Sequence, residues 1–140
     1  MSLHHAPNFA NPLRIVVADD HPTILRLVKQ LIGQEPHMKV VGSAPDGATA
    51  IALAEELRPD VVVLNVVMPN MTGFEAARRI REAAPDTGIV ILSTHKDEQF
   101  VKLARECGAT AFVSKGQAVE ELVHAIEAAG RGERLVAPLA

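Results

Sequence analysis

A chain of 140 residues, 48% of them hydrophobic, is long enough for one domain around one core. Its formal net charge of -3, its pI near 6.0 and the scattering of its Lys and Arg exclude a basic nucleic-acid footprint on this segment. Cys107 is the single cysteine, so no internal disulfide can form, and packing in a reducing setting is its expected role. No apolar run reaches the ~18 residues of a membrane span, and no basic start with an apolar stretch marks a signal peptide. A soluble, cytoplasmic protein that does not meet the membrane is expected.

Residues 1–12 carry two prolines and two asparagines without periodicity and read as a flexible leader. His4 and His5 could hold a metal, but a frayed end or expression remnant is the expected reading. From Leu13 the chain alternates short β-branched runs with segments that repeat apolar residues at helical spacing. The first strand spans Leu13–Ala18. The helix after it starts with Pro22, where a missing N–H costs nothing, and shows Ile24, Leu27, Val28, Leu31 and Ile32 on one stripe, with Gly33 and Pro36 closing it. Strands follow at Met38–Gly42 and Asp60–Leu64. The third helix opens on the capping pattern Thr72-x-x-Glu75, and Pro85 forbids its continuation past Ala84. After a strand at Gly88–Leu92, the fourth helix repeats Phe100, Leu103, Ala104 and Cys107 before Gly108. A last strand at Thr110–Val113 leads to a fifth helix with Val119, Leu122, Val123 and Ile126 before Gly130.

Most of these strands are apolar throughout, as strands covered on both faces are. Alternating strands and helices with short loops need right-handed crossovers, which make a doubly wound α/β domain with a five-stranded parallel sheet. Such sheets bind ligands beyond the carboxyl ends of their strands. There the first strand presents Asp19-Asp20, the third Asn65, the fourth Ser93-Thr94, and the fifth runs into Lys115.

Two carboxylates ~4 Å apart repel by about 4 kcal/mol at an effective dielectric of ~20, so a clustered acidic pair wants a partner. Mg2+ suits it, being a hard cation bound by one or two carboxylates together with a phosphate. A hydroxyl and a lysine nearby would hold the remaining phosphate oxygens. Taken singly, the acidic pair would read as helix capping, and Ser93 or Lys115 as solvated surface. Their shared place at the strand ends points instead to a site.

With these residues the chain resembles the receiver domains of two-component response regulators over about residues 13–130. The resemblance rests on Asp19-Asp20, on Asn65-x-x-Met68-Pro69-x-x-x-Gly73, on Ser93, and on Lys115 with Phe112 three residues before it. It implies a flavodoxin-like (βα)5 fold with strand order 2-1-3-4-5. It also implies an aspartate at position 65 that accepts a phosphoryl group from a histidine kinase, with Mg2+ held by the acidic pair, residue 65 and the main-chain carbonyl of Val67. Asp20 would then be the direct ligand and Asp19 would act through water. Ser93 and Phe112 would be switch residues, and Lys115 the phosphate partner. Partners would meet the edge of the fourth helix, fifth strand and fifth helix, and a homodimer is one such partner.

The chain departs from the pattern at residue 65. A carboxylate oxygen can attack phosphorus, whereas the amide of Asn65 has no negative charge and a delocalised nitrogen lone pair. Asn65 is therefore expected not to be phosphorylated, and its single carbonyl is expected to weaken Mg2+ binding. Thr94, larger than the alanine frequent there, would narrow access. Two accounts fit: a native degenerate receiver that signals by its interfaces alone, or an ordinary regulator altered by engineering or recent loss, which the otherwise intact site favours. Residues 131–140 resemble the start of a linker to a LuxR-type helix-turn-helix output, which would make the parent a DNA-binding transcriptional regulator, DNA being met only through that domain.

An enzyme on a similar sheet is the competing class. A haloacid-dehalogenase-like, Mg-dependent phosphatase needs an Asp-x-Asp motif that Ala18-Asp19-Asp20-His21 lacks. A flavin carrier needs a hydroxyl- and glycine-rich phosphate loop and stacking aromatics, and the chain has no Trp or Tyr. His21, next to Pro22, is expected to cap a helix or lie on the surface rather than act as a base.

Overall fold

Valine- and isoleucine-rich segments line up as five parallel strands in the order β2-β1-β3-β4-β5. The computed structural model describes residues 11–94 and 97–133; the His4-His5 pair and most of the expected leader and linker lie outside them. The strands are β1 (Leu13–Ala18), β2 (Met38–Ala44), β3 (Val61–Asn65), β4 (Gly88–Ser93) and β5 (Ala111–Ser114). Between them run α1 (Pro22–Gly33), α2 (Gly47–Leu57), α3 (Gly73–Ala83), α4 (Glu98–Glu106) and α5 (Ala118–Gly130). The expected doubly wound sheet and its strand order are what is observed. β3, β4 and β5 each run one residue beyond the apolar run, because a polar side chain does not interrupt the main-chain ladder. Asn65 is thus still paired with Leu92, and Ser93 with Ser114.

Side chains alternate between the sheet faces, so neighbouring strand residues feed two separate cores. Val16, Val62, Leu64, Ile89 and Ile91 pack with Ala50, Phe74, Ala77, Ile80 and Ala104 of α2, α3 and α4. Ile15, Val17, Val63, Val90 and Leu92 pack with Val28 and Ile32 of α1 and Leu122 and Ile126 of α5. Phe74 is buried against Phe100, their ring centroids 6.0 Å apart.

Two expected stripe residues lie outside these cores. Leu27 is 45% and Val119 67% exposed, because α1 and α5 turn a narrower face to the sheet than the apolar spacing suggests. In α5 that face is made with alanines: Ala118, Ala125, Ala128 and Ala129 are buried beside Leu122 and Ile126. Small residues let α5 approach closely. A Cβ on Gly88 of β4 would stand 2.5 Å from the Ala129 carbonyl oxygen. Gly130 and Gly33 are the last residues of their helices rather than left-handed caps, whereas Gly108 takes that role after α4 with φ +84°. Thr72 caps α3 as expected, accepting from the Glu75 N–H at 3.2 Å. Glu75 turns its own carboxylate toward Arg79.

Candidate functional site

Register delivers the site. Ala18 lies beside Leu64, Asn65 beside Leu92 and Ser93 beside Ser114, so Asp19, Asn65, Ser93 and Lys115 follow one another along the carboxyl edge. All are largely withdrawn from solvent: Asp19 is 2%, Asn65 4% and Ser93 1% exposed, and the Lys115 side chain 13%. The end of β3 is also held from behind. Gly73 donates its N–H to the Val66 carbonyl at 2.7 Å, and a Cβ there would lie 2.2 Å from the carbonyl oxygen of Asn65. The glycine of the Asn65-x-x-Met68-Pro69-x-x-x-Gly73 stretch is therefore required by a backbone contact. Asn70 makes the turn between them with φ +71°, a conformation asparagine tolerates.

The Asn65 amide points into the acidic pair. Its Nδ2 donates to the Val67 carbonyl at 2.7 Å and lies 3.3 Å from Asp20 Oδ1 and 3.4 Å from Asp19 Oδ1. All three neighbours are acceptors, which fixes the nitrogen rather than the oxygen on that side. Lys115 Nζ stands 3.2 Å from Asp19 Oδ2, an ion pair by distance but without an aligned hydrogen bond. On the outer side, the His21 N–H donates to Asp19 Oδ1 at 2.9 Å. The His21 ring places Nδ1 3.2 Å from Asp19 Oδ1 and 3.1 Å from Asp20 Oδ1, both acceptors, so the tautomer with its proton on Nδ1 suits this place.

His21 is a surface residue at the N-cap position of α1, as expected; its side chain makes no capping bond and, 61% exposed, leans over both carboxylates. The signal was present in its position directly after the acidic pair, with Pro22 holding the main chain where the ring can turn back. Lys115 and Ser93 are not solvated surface residues, since each is brought in by the last residues of a central or neighbouring strand. Thr94 is exposed beside them. Phe112 is half-buried on β5 and packs against the α2–α3–α4 core. The Val67 side chain faces solvent, and only its carbonyl enters the site.

The donor chemistry suits a hard divalent ion. Asp19, Asp20 and the Val67 carbonyl offer oxygens, and ligand atoms of Asp19, Asp20 and His21 lie within 4.8 Å of one another. The group lying among these oxygens is nonetheless the NH2 of Asn65, which cannot ligate a metal.

This constellation on this sheet matches one family model, the response regulator receiver domain, over residues 15–127. The chain belongs to that family. Among curated proteins, the receiver domain is 41% identical over 123 residues to the transcriptional regulatory protein YxjL of Bacillus subtilis (strain 168), covering 88% of this chain and 56% of that protein. It is 43% identical over 107 residues to a protein-glutamate methylesterase/protein-glutamine glutaminase of Myxococcus xanthus (strain DK1622), covering 75% of this chain and 30% of that protein. The chain thus spans only part of the length of these relatives. Among solved structures, a LuxR-family two-component response regulator from Aurantimonas sp. SI85-9A1 superposes with a TM-score of 0.84 at 37% identity, covering 89% of each chain. No helix among the described residues is long and apolar enough to cross a membrane.

Proposed function

We propose that residues 13–130 form a receiver domain whose phosphoacceptor position is Asn65, so that it takes no phosphoryl group from a histidine kinase and stays in its unphosphorylated state. The observation that carries this reading is the Asn65 amide itself, 4% exposed at the end of β3 and facing Asp19, Asp20 and the Val67 carbonyl. An amide in that place offers no anionic oxygen to attack phosphorus. Ser93 and Lys115, with Thr94 at the rim, are the residues that would face a phosphoryl group, and Phe112 the aromatic that would report its arrival. Asp19, Asp20 and the Val67 carbonyl are the oxygen ligands available to Mg2+, which would supply charge neutralisation there. The domain has no turnover of its own. Its output is a LuxR-type DNA-binding domain following residue 130, the kind of architecture that the similarity to a transcriptional regulator and a LuxR-family response regulator supports. Partners, a second copy included, meet the α4–β5–α5 edge, in a cytoplasmic setting.

The test compares the chain with its Asn65→Asp form, incubated with a small phosphodonor and Mg2+ and read by intact mass. A single phosphoryl adduct is expected on the Asp form and none on the parent. An adduct on the parent chain sinks the reading. Asn65→Asp should also lower the melting temperature in the absence of Mg2+, because an anion replaces a donor facing two carboxylates. At an effective dielectric of ~20 each such contact costs about 4 kcal/mol, less to the extent that side chains turn away.

A further inference from the structure

The protein's own amide stands where a cation would. Three oxygens converge at the end of β3, and one NH2 group lies within 2.7 to 3.4 Å of all of them. Asp19 and Asp20 are adjacent in sequence and carry like charges, yet Asn65 Nδ2 and His21 Nδ1 each lie within 3.4 Å of both, and Lys115 Nζ forms an ion pair with Asp19 without an aligned hydrogen bond. A Val67 carbonyl turned inward beside two carboxylates would otherwise add a third repelling oxygen. Instead it takes the shortest of the three bonds to the amide. The two carboxylate contacts are longer, at 3.3 and 3.4 Å, but they put a donor against both anions, and an unfilled acceptor in a buried place is costly.

We propose that the Asn65 NH2 is a built-in surrogate for the divalent ion: it links Asp19, Asp20 and the Val67 carbonyl in the metal-free protein and competes with Mg2+ for them. This rests on the receiver reading of the site and adds a cause for its metal response. A mere loss of one charge leaves the cradle open and only less attractive. The surrogate closes it, since an ion can enter only after the amide has broken its three contacts and turned its oxygen inward.

The two causes separate in an alanine. Asn65→Ala keeps the charge of the parent and removes both the carbonyl oxygen and the NH2. If charge alone governed the site, alanine would bind Mg2+ no better than asparagine, having lost a ligand. With the NH2 as competitor, alanine binds tighter. Titration calorimetry with MgCl2 on the 140-residue chain and its variants is expected to rank affinity as Asn65→Asp, then Asn65→Ala, then the parent, with about tenfold between alanine and the parent for the loss of one hydrogen bond. Equal or weaker binding by Asn65→Ala overturns the surrogate. A second measurement reads the parent chain directly. In 1H–15N spectra of the parent, the Asn65 side-chain pair, assigned by its disappearance in Asn65→Asp, should exchange slowly with water and hold its position as Mg2+ is raised through the millimolar range. A fast-exchanging pair, or one that shifts with a low-millimolar midpoint, overturns the proposal. Neither result depends on phosphoryl transfer, so the surrogate and the unphosphorylated-receiver reading fail separately.

Discussion

At the amino end of the sheet, Arg14, Arg58 and Arg81 terminate on main-chain carbonyls; at the carboxyl end, the charged side chains of the site terminate chiefly on one another. Arg14 donates to the carbonyls of Leu57 and Arg58 at the end of α2, and Arg58 to Ala83 at the end of α3. Arg81 reaches the carbonyls of Pro85, Thr87 and Gly108, the last at 2.6 Å just past α4. These are helix carboxyl termini, where orphan carbonyls and the negative end of the macrodipole welcome a cation. Every such contact joins a side chain to the main chain and involves no residue of the site. At the opposite end Asp19, Asp20, Lys115 and His21 face each other around Asn65, and one residue sets how the remainder is satisfied. These arginines are matched to the backbone. The carboxylates of the site are matched mainly to other side chains, with the His21 N–H as a main-chain donor to Asp19, and so can be re-matched.

The largest break in this comparison is Gly73→Ala. The new Cβ would lie 2.2 Å from the Asn65 carbonyl oxygen and 3.2 Å from the Val66 Cα, contacts with backbone that cannot swing aside. Overpacking of this kind costs about 3 kcal/mol. The urea midpoint should fall accordingly, and the Asn65 side-chain amide resonances should move with it because the end of β3 is displaced. A stable Gly73→Ala protein with unmoved Asn65 resonances would show that β3 and α3 do not bear on each other as described.

Arg81→Met sharpens the other half. Methionine keeps the apolar stem but leaves the carbonyls of Pro85, Thr87 and Gly108 without their donor. The expected loss is about 2 kcal/mol by urea denaturation. The Asn65 resonances and the Mg2+ affinity should stay at their parent values. A changed metal response on Arg81→Met would mean that the two ends are coupled through the sheet.

Much of this division was legible in the sequence, for identifiable reasons. Strands such as Val61-Val62-Val63-Leu64 have no polar face to mislead, and their ends could be read as a row because parallel strands share a direction. Strand order and direction alone therefore put the acidic pair, Ser93 and Lys115 on one edge. The stripe residues Leu27 and Val119 did not follow, because helical spacing marks a face but not how wide a strip of it neighbouring elements cover. The direction of the Asn65 amide was also out of reach. Which of its two ends faces Asp19 is decided by a carbonyl two residues later turning inward, and that depends on the Gly73 contact folding the loop back. Arg81 and Arg14 carried no signal, since an arginine bound to distant carbonyls looks in sequence like any solvated one.

The smallest effect concerns a carboxylate at the site's end of the sheet that is matched to backbone after all. Asp46 caps α2, its Oδ1 accepting from the Thr49 N–H at 2.8 Å. That bond holds its pKa below the ordinary 3.8. A group whose folded pKa is depressed adds stability that is fully present above the unfolded value and is lost as pH falls through the folded one. Asp46→Asn keeps a capping oxygen and removes only the charge. Its urea midpoint should therefore fall slightly short of the parent's at neutral pH, and the shortfall should close as the pH drops below 3.8. A shortfall that persists unchanged in acid would assign it to the shape of the cap rather than to the charge of Asp46.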